Sequence, residues 1–137
     1  AGMGACTNSN YAAQYGLGGT FAPIADFALL SAAVQSAKEL GIEMPVGNLY
    51  SSDTFYDASA SSLKWAEMGV LAIEMEAAAL YCNAAYTKKR GLAICSISDN
   101  IVTGEELSPE QRQTGFTAMM KIALETAVKM AALETEK

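Results

Sequence analysis

The stretch that decides the fold is Val70-Leu-Ala-Ile-Glu-Met-Glu76, in which an apolar run passes directly into acidic residues. A continuous apolar run such as Val70–Ile73 is typical of a strand that is buried on both faces of an α/β sheet. Glu74 and Glu76 then open a predicted helix that reaches about Lys89, because acids at the start and bases at the end of a helix match its dipole. The stretch therefore predicts a strand followed by a helix.

Strands and helices alternate on both sides of this stretch. Further strands are predicted at Gly2–Thr7, Met44–Tyr50 and Leu92–Ser98, the last again buried on both faces. Further helices are predicted at Asp26–Leu40, at Ser59–Met68 and from Ser108 onwards, and loops at Asn8–Thr20 and Asp99–Leu107. This alternation predicts an α/β fold with a mixed, largely parallel sheet and helices on both of its faces.

Two of the helices have well-marked ends and a predicted buried face. The helix at Asp26–Leu40 ends before Gly41, which suits a left-handed cap, and its apolar positions are Phe27, Leu30, Val34, Ala37 and Leu40. The last helix starts with a capping box, Ser108-Pro-Glu-Gln111, with proline at its first position. Its predicted face consists of Phe116, Met120, Ala123, Ala127 and Met130, and Glu134–Lys137 are predicted to fray.

The composition excludes several classes of function. A chain of 137 residues with 51% apolar residues has the length of about one domain and can bury a core. Its net charge of −6 repels nucleic acids and anionic membranes. Because it has no histidine, it lacks the imidazole of Ser-His and Cys-His nucleophiles and of histidine-ligated zinc. No apolar run is long enough to span a membrane.

The cysteines predict the redox state and compartment of the protein, and the first residues predict a preceding segment. Cys6, Cys82 and Cys95 are far apart among apolar neighbours, which predicts reduced core thiols of a cytoplasmic protein. No cysteine pair has the spacing of metal ligands. The chain starts without methionine in what reads as a strand already under way, so we expect an upstream portion to precede it.

Acidic residues follow two of the predicted strands. Glu74 and Glu76 follow one and Asp99 follows the next, so these three carboxylates are expected to meet where ligands bind in such sheets. A carboxylate pair suits a polyol such as ribose, because it accepts hydrogen bonds from adjacent hydroxyls. A semi-buried carboxyl can also hold a proton, which makes Asp99 a candidate general acid. The alternative is that the glutamates only favour the helix dipole and that Asp99 is a turn residue.

Two further residues have a functional and a structural interpretation each. Arg112 lies in the first turn of the last helix, where a cation opposes the dipole, so it either reaches Asp99 when the loop with Gly104 rearranges or is simply solvated. Phe55 lies beside Tyr56 and either stacks on a planar base or packs in the core.

Taken together, five segments resemble, in order, the C-terminal part of the hexameric type of purine nucleoside phosphorylase. They are Ala1-Gly-Met-Gly-Ala-Cys-Thr7, Val46-Gly-Asn-Leu-Tyr50, Glu74-Met-Glu-Ala-Ala78, Ser96-Ile-Ser-Asp99 and Glu110-Gln-Arg-Gln113. The resemblance implies that residues 1–137 are the C-terminal part of a single nucleoside phosphorylase domain. It also implies phosphorolysis of purine nucleosides to free base and ribose 1-phosphate, with inorganic phosphate as co-substrate and no metal or organic cofactor. A homohexamer is implied as well.

The same resemblance assigns roles to individual positions. Asp99 would protonate the purine N7, with Arg112 as its partner after loop closure. Glu76 would hold the ribose hydroxyls, with Met75 against the sugar and Glu74 nearby, while the base pocket would be lined by Phe55, Ile73 and Ser98. A cation beside Asp99 favours the ionised carboxylate, so Arg112 is expected to engage late, as the proton leaves.

The phosphate site of this family lies upstream of residue 1, and a histidine and an arginine from a neighbouring subunit complete the pocket. The chain alone is therefore expected to be inactive. Two alternatives stay open. One is a nucleosidase of the same superfamily that uses water in place of phosphate, and the other is a non-catalytic fragment that binds nucleosides. The preference for 6-oxo or 6-amino purines is also open.

Overall fold

A computed structural model describes residues 1–59 and 61–135 of the chain. Three parallel strands form a sheet in the order β1-β2-β3, and two short strands, β4 and β5, form an antiparallel hairpin. The strands are β1 (Gly2–Thr7), β2 (Gly47–Ser51), β3 (Ala72–Glu74), β4 (Asp99–Asn100) and β5 (Glu105–Glu106). The helices are α1 (Phe27–Glu39), α2 (Ser61–Glu67), α3 (Ala77–Tyr86), α4 (Pro109–Thr114) and α5 (Thr117–Thr135). The α/β class with a parallel sheet is confirmed.

The strand predicted at Val70–Ile73 lies two residues too early and is not buried on both faces. Gly69 has φ +78°, and the N–H of Val70 donates to the carbonyl of Trp65, so Val70 closes the end of α2. The strand forms only afterwards, as β3. In the described part of the chain β3 pairs with β2 alone, and Ile73 is 39% exposed.

The strand predicted at Leu92–Ser98 is also wrong. This segment makes one antiparallel bridge to β1, between Gly2 and Ala93. The buried hydroxyl of Tyr81 donates to the carbonyl of Gly2 at 2.6 Å and accepts from the N–H of Ala93 at 3.1 Å. A side chain therefore occupies the place that a further ladder hydrogen bond would take.

Other boundaries differ for local reasons. β2 begins at Gly47 instead of Met44, because Pro45 has no N–H and the first hydrogen bond runs from Gly47 to the carbonyl of Ala1. The loop predicted at Asn8–Thr20 contains a 3-10 helix at Tyr11–Tyr15.

The remaining boundaries concern the hairpin and two helices. The loop predicted at Asp99–Leu107 contains the β4–β5 hairpin. α3 ends at Tyr86 instead of Lys89, and Lys88 adopts a positive φ of 57° just after it. α2 is shorter than the predicted Ser59–Met68 at its C-terminal end, because it stops at Glu67.

The predicted helix caps of α1 and of the last helix are confirmed. The side chain of Asp26 accepts from the N–H of Leu29 at the start of α1, and Gly41 has φ +65° after it. Both hydrogen bonds of the capping box join Ser108 and Gln111. However, the predicted last helix is two helices, because the chain leaves α4 at Gly115 and resumes as α5. α5 continues to Thr135, where fraying was predicted, and residues 136 and 137 lie outside the described residues.

The predicted buried faces of α1 and α5 are largely wrong. In α1 the buried residues are Ala32, Ala33, Ser36 and Ala37, whereas the side chains of Phe27, Val34 and Leu40 are exposed. In α5 the buried residues are Ile122, Thr126 and Met130, whereas Met120, Ala123 and Ala127 are exposed. Both helices carry apolar residues on more than one face, so periodicity alone could not identify the face that packs.

Two buried clusters hold the chain together. The sheet cluster packs α3 on the sheet and consists of Ala5, Leu49, Ala77, Ala78 and Tyr81. The helix-pair cluster packs α1 on α5 and consists of Ala33, Ala37 and Ile122, with Ile42, Met44, Leu92 and Ile94 against it. Across residues 1–59 and 61–135, no helix has the length and apolar character needed to cross a membrane.

Candidate functional site

The carboxyl ends of β1, β2 and β3 lie at one edge of the sheet, because the three strands are parallel. Ser51, the last residue of β2, is in register with Glu74, the last residue of β3. Glu74 and Glu76 therefore leave the sheet at the edge where ligands bind in α/β folds. This placement agrees with the position predicted for the two glutamates.

Glu74 caps α3. One oxygen of its carboxylate accepts from the hydroxyl of Ser51, and the other accepts from the N–H groups of Glu76 at 2.7 Å and Ala77 at 2.6 Å. These N–H groups belong to the first turn of the helix and have no partner inside it. These contacts agree with the alternative in which Glu74 stabilises the start of its helix. Both oxygens of its carboxylate already accept hydrogen bonds from the protein.

Glu76 occupies the cap position of α3, but its side chain makes no capping hydrogen bond. Its side chain is exposed, and within the described residues its carboxylate has no hydrogen bond or ion pair. Two apolar residues that precede it in the chain, Ile73 and Met75, are 39% and 40% exposed. The edge thus presents an unpaired carboxylate in a segment with exposed apolar residues, and such a carboxylate can accept hydrogen bonds from the hydroxyls of a ligand.

Cys95 packs against the sheet cluster, although the predicted site did not include it. Burial raises the pKa of the Cys95 thiol, and the negative charge of Glu74 and then that of Glu76 raises it further, while the amino group of Ala1 opposes this. The other two cysteines are also free thiols, and of the three only Cys82 is buried.

Asp99 and Arg112 are in direct contact. A terminal nitrogen of the guanidinium, Nη2, donates to Oδ1 of Asp99 at 2.5 Å, and its Nε donates to the carbonyl of Leu107 at 3.0 Å. The hydroxyl of Ser98 donates to Oδ2 of Asp99 at 2.7 Å. The alternative of a simply solvated Arg112 is therefore wrong. The predicted pairing is present, but it is already formed in this structure, whereas we expected it only after the loop with Gly104 closes. Asp99 itself opens the β4–β5 hairpin instead of ending a buried strand.

Phe55 lies in the loop after β2 and is 76% exposed. Its ring meets that of Tyr56 edge-on, with a centroid distance of 4.9 Å, so the core-packing interpretation is wrong. Two contacts shape the loop before it. The N–H of Asp53 donates to Oδ1 of Asn8 at 2.9 Å, and the hydroxyl of Ser52 donates to the carbonyl of Thr54 at 2.8 Å.

The predicted site residues thus form two groups. The first lies in β3, directly after β3 and in the loop after β2, and contains Ile73, Glu74, Met75, Glu76 and Phe55. The second surrounds the hairpin and contains Ser98, Asp99 and Arg112. No hydrogen bond or ion pair links the two groups within residues 1–59 and 61–135. Their union in one binding site therefore stays a prediction.

Ser51 is the residue that sequence reasoning missed. Its polar hydroxyl follows a predicted strand, as the glutamates do, so the same strand-end rule could have identified it.

The cavity and the acidic and cysteine side chains of the described residues were compared with this site. A cavity of 440 Å³ lies between the segment Ile42–Pro45, the segment Ile94–Ile97 and the start of α5, and its lining contains none of the predicted site residues. In the part of the chain that the structure describes, no group of three Cys, Asp or Glu side chains could hold a metal ion.

Comparison with known proteins places this arrangement in a family. The profile of the phosphorylase superfamily matches residues 3–132. A purine nucleoside phosphorylase of DeoD type from Clostridium novyi is 49% identical over 126 residues, which are 91% of this chain and 54% of that relative. Relatives of the same description from Listeria welshimeri and Exiguobacterium sibiricum are 50% and 51% identical, over 80% of this chain and 47% of theirs.

A solved structure shares the fold. It is that of purine nucleoside phosphorylase from Toxoplasma gondii in complex with immucillin-H, with a TM-score of 0.81 and 21% identity, and the match covers 94% of this chain and 54% of that one. The chain therefore spans about half the length of the relatives it matches. Because the family profile covers nearly all of its residues, the chain belongs to the phosphorylase superfamily.

Proposed function

We propose that residues 1–137 are the C-terminal part of a single nucleoside phosphorylase domain, which cleaves purine nucleosides with phosphate to give free base and ribose 1-phosphate. The observation that carries the proposal is the unpaired carboxylate of Glu76 at the ligand-binding edge of the sheet, in a segment that also contains the partly exposed apolar residues Ile73 and Met75. The similarity to DeoD-type purine nucleoside phosphorylases supports it.

In this proposal Glu76 holds the ribose. Its two oxygens accept hydrogen bonds from the neighbouring hydroxyls, and Met75 packs against the sugar. As the glycosidic bond breaks, the sugar develops positive charge, and an ionised carboxylate beside it lowers the energy of that state.

Asp99 is the proposed general acid. It gives its proton to N7 of the purine while the bond from C1′ to N9 breaks and an oxygen of phosphate bonds to C1′. Arg112 then stabilises the resulting carboxylate through the hydrogen bond that already joins the two side chains. The observed hydrogen bond between the two supports the pairing. Phe55, Ile73 and Ser98 are proposed to line the base pocket.

The remaining parts of the proposal concern what completes the site. Phosphate is the co-substrate, and its binding groups come from a segment upstream of residue 1. The reaction needs no metal or organic cofactor, and nucleic acids and membranes are not partners. The complete protein is proposed to act in the cytoplasm as a homohexamer, in which a neighbouring subunit closes each pocket.

The test assays phosphorolysis of inosine and adenosine by residues 1–137 alone and by the same residues joined to the N-terminal segment of the Clostridium novyi relative. We expect activity only in the joined protein, and only with phosphate. Asp99→Asn in that protein should reduce kcat by about 10²–10⁴-fold, because general acid catalysis contributes that much. Nucleoside binding should change little.

Other outcomes would contradict the proposal in distinct ways. Release of base without phosphate would indicate a nucleosidase that uses water. Binding of nucleosides without turnover would indicate a non-catalytic binding protein. Full activity of residues 1–137 alone would contradict the proposed division of the site between this chain and an upstream segment.

A further inference from the structure

Ser51 is a buried polar residue at the carboxyl end of β2. Its side chain and backbone together are 4% exposed. Its hydroxyl donates to the carboxylate of Glu74 and accepts from the N–H of Ala78 at 2.8 Å, and its carbonyl accepts from the hydroxyl of Thr7 at 2.8 Å. One serine therefore connects the ends of all three strands of the sheet with the first turn of α3.

The contacts of Ser51 continue through Glu74 to the backbone of Glu76. The oxygen of Glu74 that does not contact Ser51 accepts from the N–H groups of Glu76 and Ala77. The side chain at the cap position usually accepts hydrogen bonds from the first N–H groups of a helix. Here Glu74, two residues before the cap position, accepts them instead. The carboxylate of Glu76, which occupies the cap position with φ −130° and ψ −28°, remains available to a ligand.

We propose that Ser51 and Glu74 are positioning residues, which hold the turn through Met75 so that the carboxylate of Glu76 faces the ribose hydroxyls. The inference rests on the proposed function and changes one part of it, because Glu74 acts through the backbone of Glu76 and does not touch the substrate. Loss of the Ser51 hydroxyl leaves the N–H of Ala78 and one oxygen of Glu74 without their partner. Fewer hydrogen bonds then fix the turn through Met75, so the carboxylate of Glu76 is held less firmly in one orientation.

The test uses Ser51→Ala in the joined protein and compares inosine with 2′-deoxyinosine, or the adenosine pair if the parent prefers it. We expect kcat/KM for the ribonucleoside to fall about tenfold, the effect of losing roughly one charge-assisted hydrogen bond. The 2′-deoxynucleoside should lose less, because it already lacks one of the hydroxyls that Glu76 holds. The ratio of the two values should therefore decrease. A purely structural role would lower both values equally.

Two further variants and a control complete the comparison. Ser51→Thr keeps the hydroxyl and should restore most of the ratio. Glu74→Gln keeps the size of the side chain and should lower the ratio in the same direction, which covers the case in which Ser51→Ala does not fold. Ser36→Ala makes the same chemical change at a buried serine in α1 whose hydroxyl has no hydrogen bond, so the ratio should stay unchanged.

Hydrogen exchange provides a readout that does not depend on turnover. The amides of Glu76 and Ala77 do not contact Ser51, yet they should exchange faster in Ser51→Ala if the hydroxyl acts through Glu74. Faster exchange at these two amides in a protein without phosphorolysis would support the positioning role and contradict the proposed function. Unchanged exchange, or an equal loss with both nucleosides in an active protein, would overturn the inference.

Discussion

The sheet cluster and the helix-pair cluster are built in different ways. In the sheet cluster the buried polar groups are paired, since Tyr81 bonds to Gly2 and Ala93 and the nearby Ser51 bonds to Glu74 and Ala78. In the helix pair α1 and α5 meet through small and aliphatic side chains, and the hydroxyl of Ser36, although fully buried, has no hydrogen bond. The difference teaches that directional contacts are concentrated on the side of the molecule that positions the candidate site.

Close backbone packing accompanies these contacts in the sheet cluster. A Cβ on Gly2 would lie 2.5 Å from Cδ1 of Leu49 and 3.0 Å from the hydroxyl of Tyr81. A side chain at this position would force Leu49 to shift, so glycine lets β1 approach the tyrosine for the 2.6 Å hydrogen bond without that displacement. The helix pair has no comparable constraint among its described residues, since α1 and α5 contain no glycine.

The largest expected effect is the loss of aliphatic packing in the helix pair. Ile122 is 2% exposed, and Ile122→Ala should lower the free energy of unfolding by roughly 2–5 kcal/mol, through lost burial and a cavity. Urea unfolding followed by helical circular dichroism measures it. Leu124→Ala in the same helix is the control, because Leu124 is 68% exposed and should cost less than about 0.5 kcal/mol. Equal effects would contradict the observed face of α5.

The second effect tests hydrogen bonding in the sheet cluster. Tyr81→Phe keeps the ring and leaves the carbonyl of Gly2 and the N–H of Ala93 unpaired, so the free energy of unfolding should fall by roughly 1–3 kcal/mol. Fluorescence of Trp65, which stacks on Tyr50 of β2 at 4.6 Å, reports unfolding of the sheet. Tyr56→Phe is the control, since Tyr56 is 87% exposed. A neutral result for Tyr81→Phe would show that its hydroxyl does not join β1 to the segment at Ala93.

The third effect has the opposite sign. Ser36→Ala removes a buried hydroxyl without a partner and replaces serine by the best helix former, so the free energy of unfolding should rise by about 1 kcal/mol. Ser31→Ala, on the exposed side of α1, measures the gain from helix propensity alone. A destabilised Ser36→Ala would contradict the unpaired state of the hydroxyl and with it the contrast between the two clusters.

The smallest effect concerns the ion pair between Lys129 of α5 and Glu39 of α1, at 2.6 Å. Hydrogen bonds from Lys129, and then from Gln35, hold the pKa of Glu39 below its usual value. Such a group stabilises the fold above the pKa it has in the unfolded chain, and this stability disappears as pH falls through the lower pKa of the folded state. Lys129→Ala should therefore be slightly less stable than the parent at pH 7 and equal to it at low pH. If the two proteins still differ in their free energy of unfolding at low pH, the difference comes from packing of the aliphatic part of Lys129 and not from the ion pair.

Much of the fold could be predicted from local signals. The strand at Gly2–Thr7, the left-handed cap at Gly41 and the capping box at Ser108 were predicted correctly, because each depends on residues that are close in sequence. The strand at Leu92–Ser98 could not be excluded in this way. Its place beside β1 is decided by a hydroxyl on α3, which is distant in sequence.

In the candidate site, too, some features were predictable from nearby residues and others depend on contacts between distant parts of the chain. The pairing of Arg112 with Asp99 was predictable, because only a short hairpin separates the two residues. The dipole argument for it was wrong, since α4 ends at Thr114 and Arg112 lies in its last turn, where a cation is favourable. The different tasks of Glu74 and Glu76 were not predictable, because both are acids next to the start of the same helix. Their roles diverge only when β2 brings the hydroxyl of Ser51 to one of them.

The amino-acid sequence by itself determined the alternation of strands and helices, the helix caps and the chemical types gathered at the ends of the strands. These properties depend on short-range periodicity and on side chains that satisfy nearby backbone groups. Only the tertiary structure decided which faces of α1 and α5 are buried, which carboxylate caps α3 and which remains unpaired. Those outcomes depend on partners that folding brings together from distant parts of the chain, where packing and hydrogen bonding outweigh local preference.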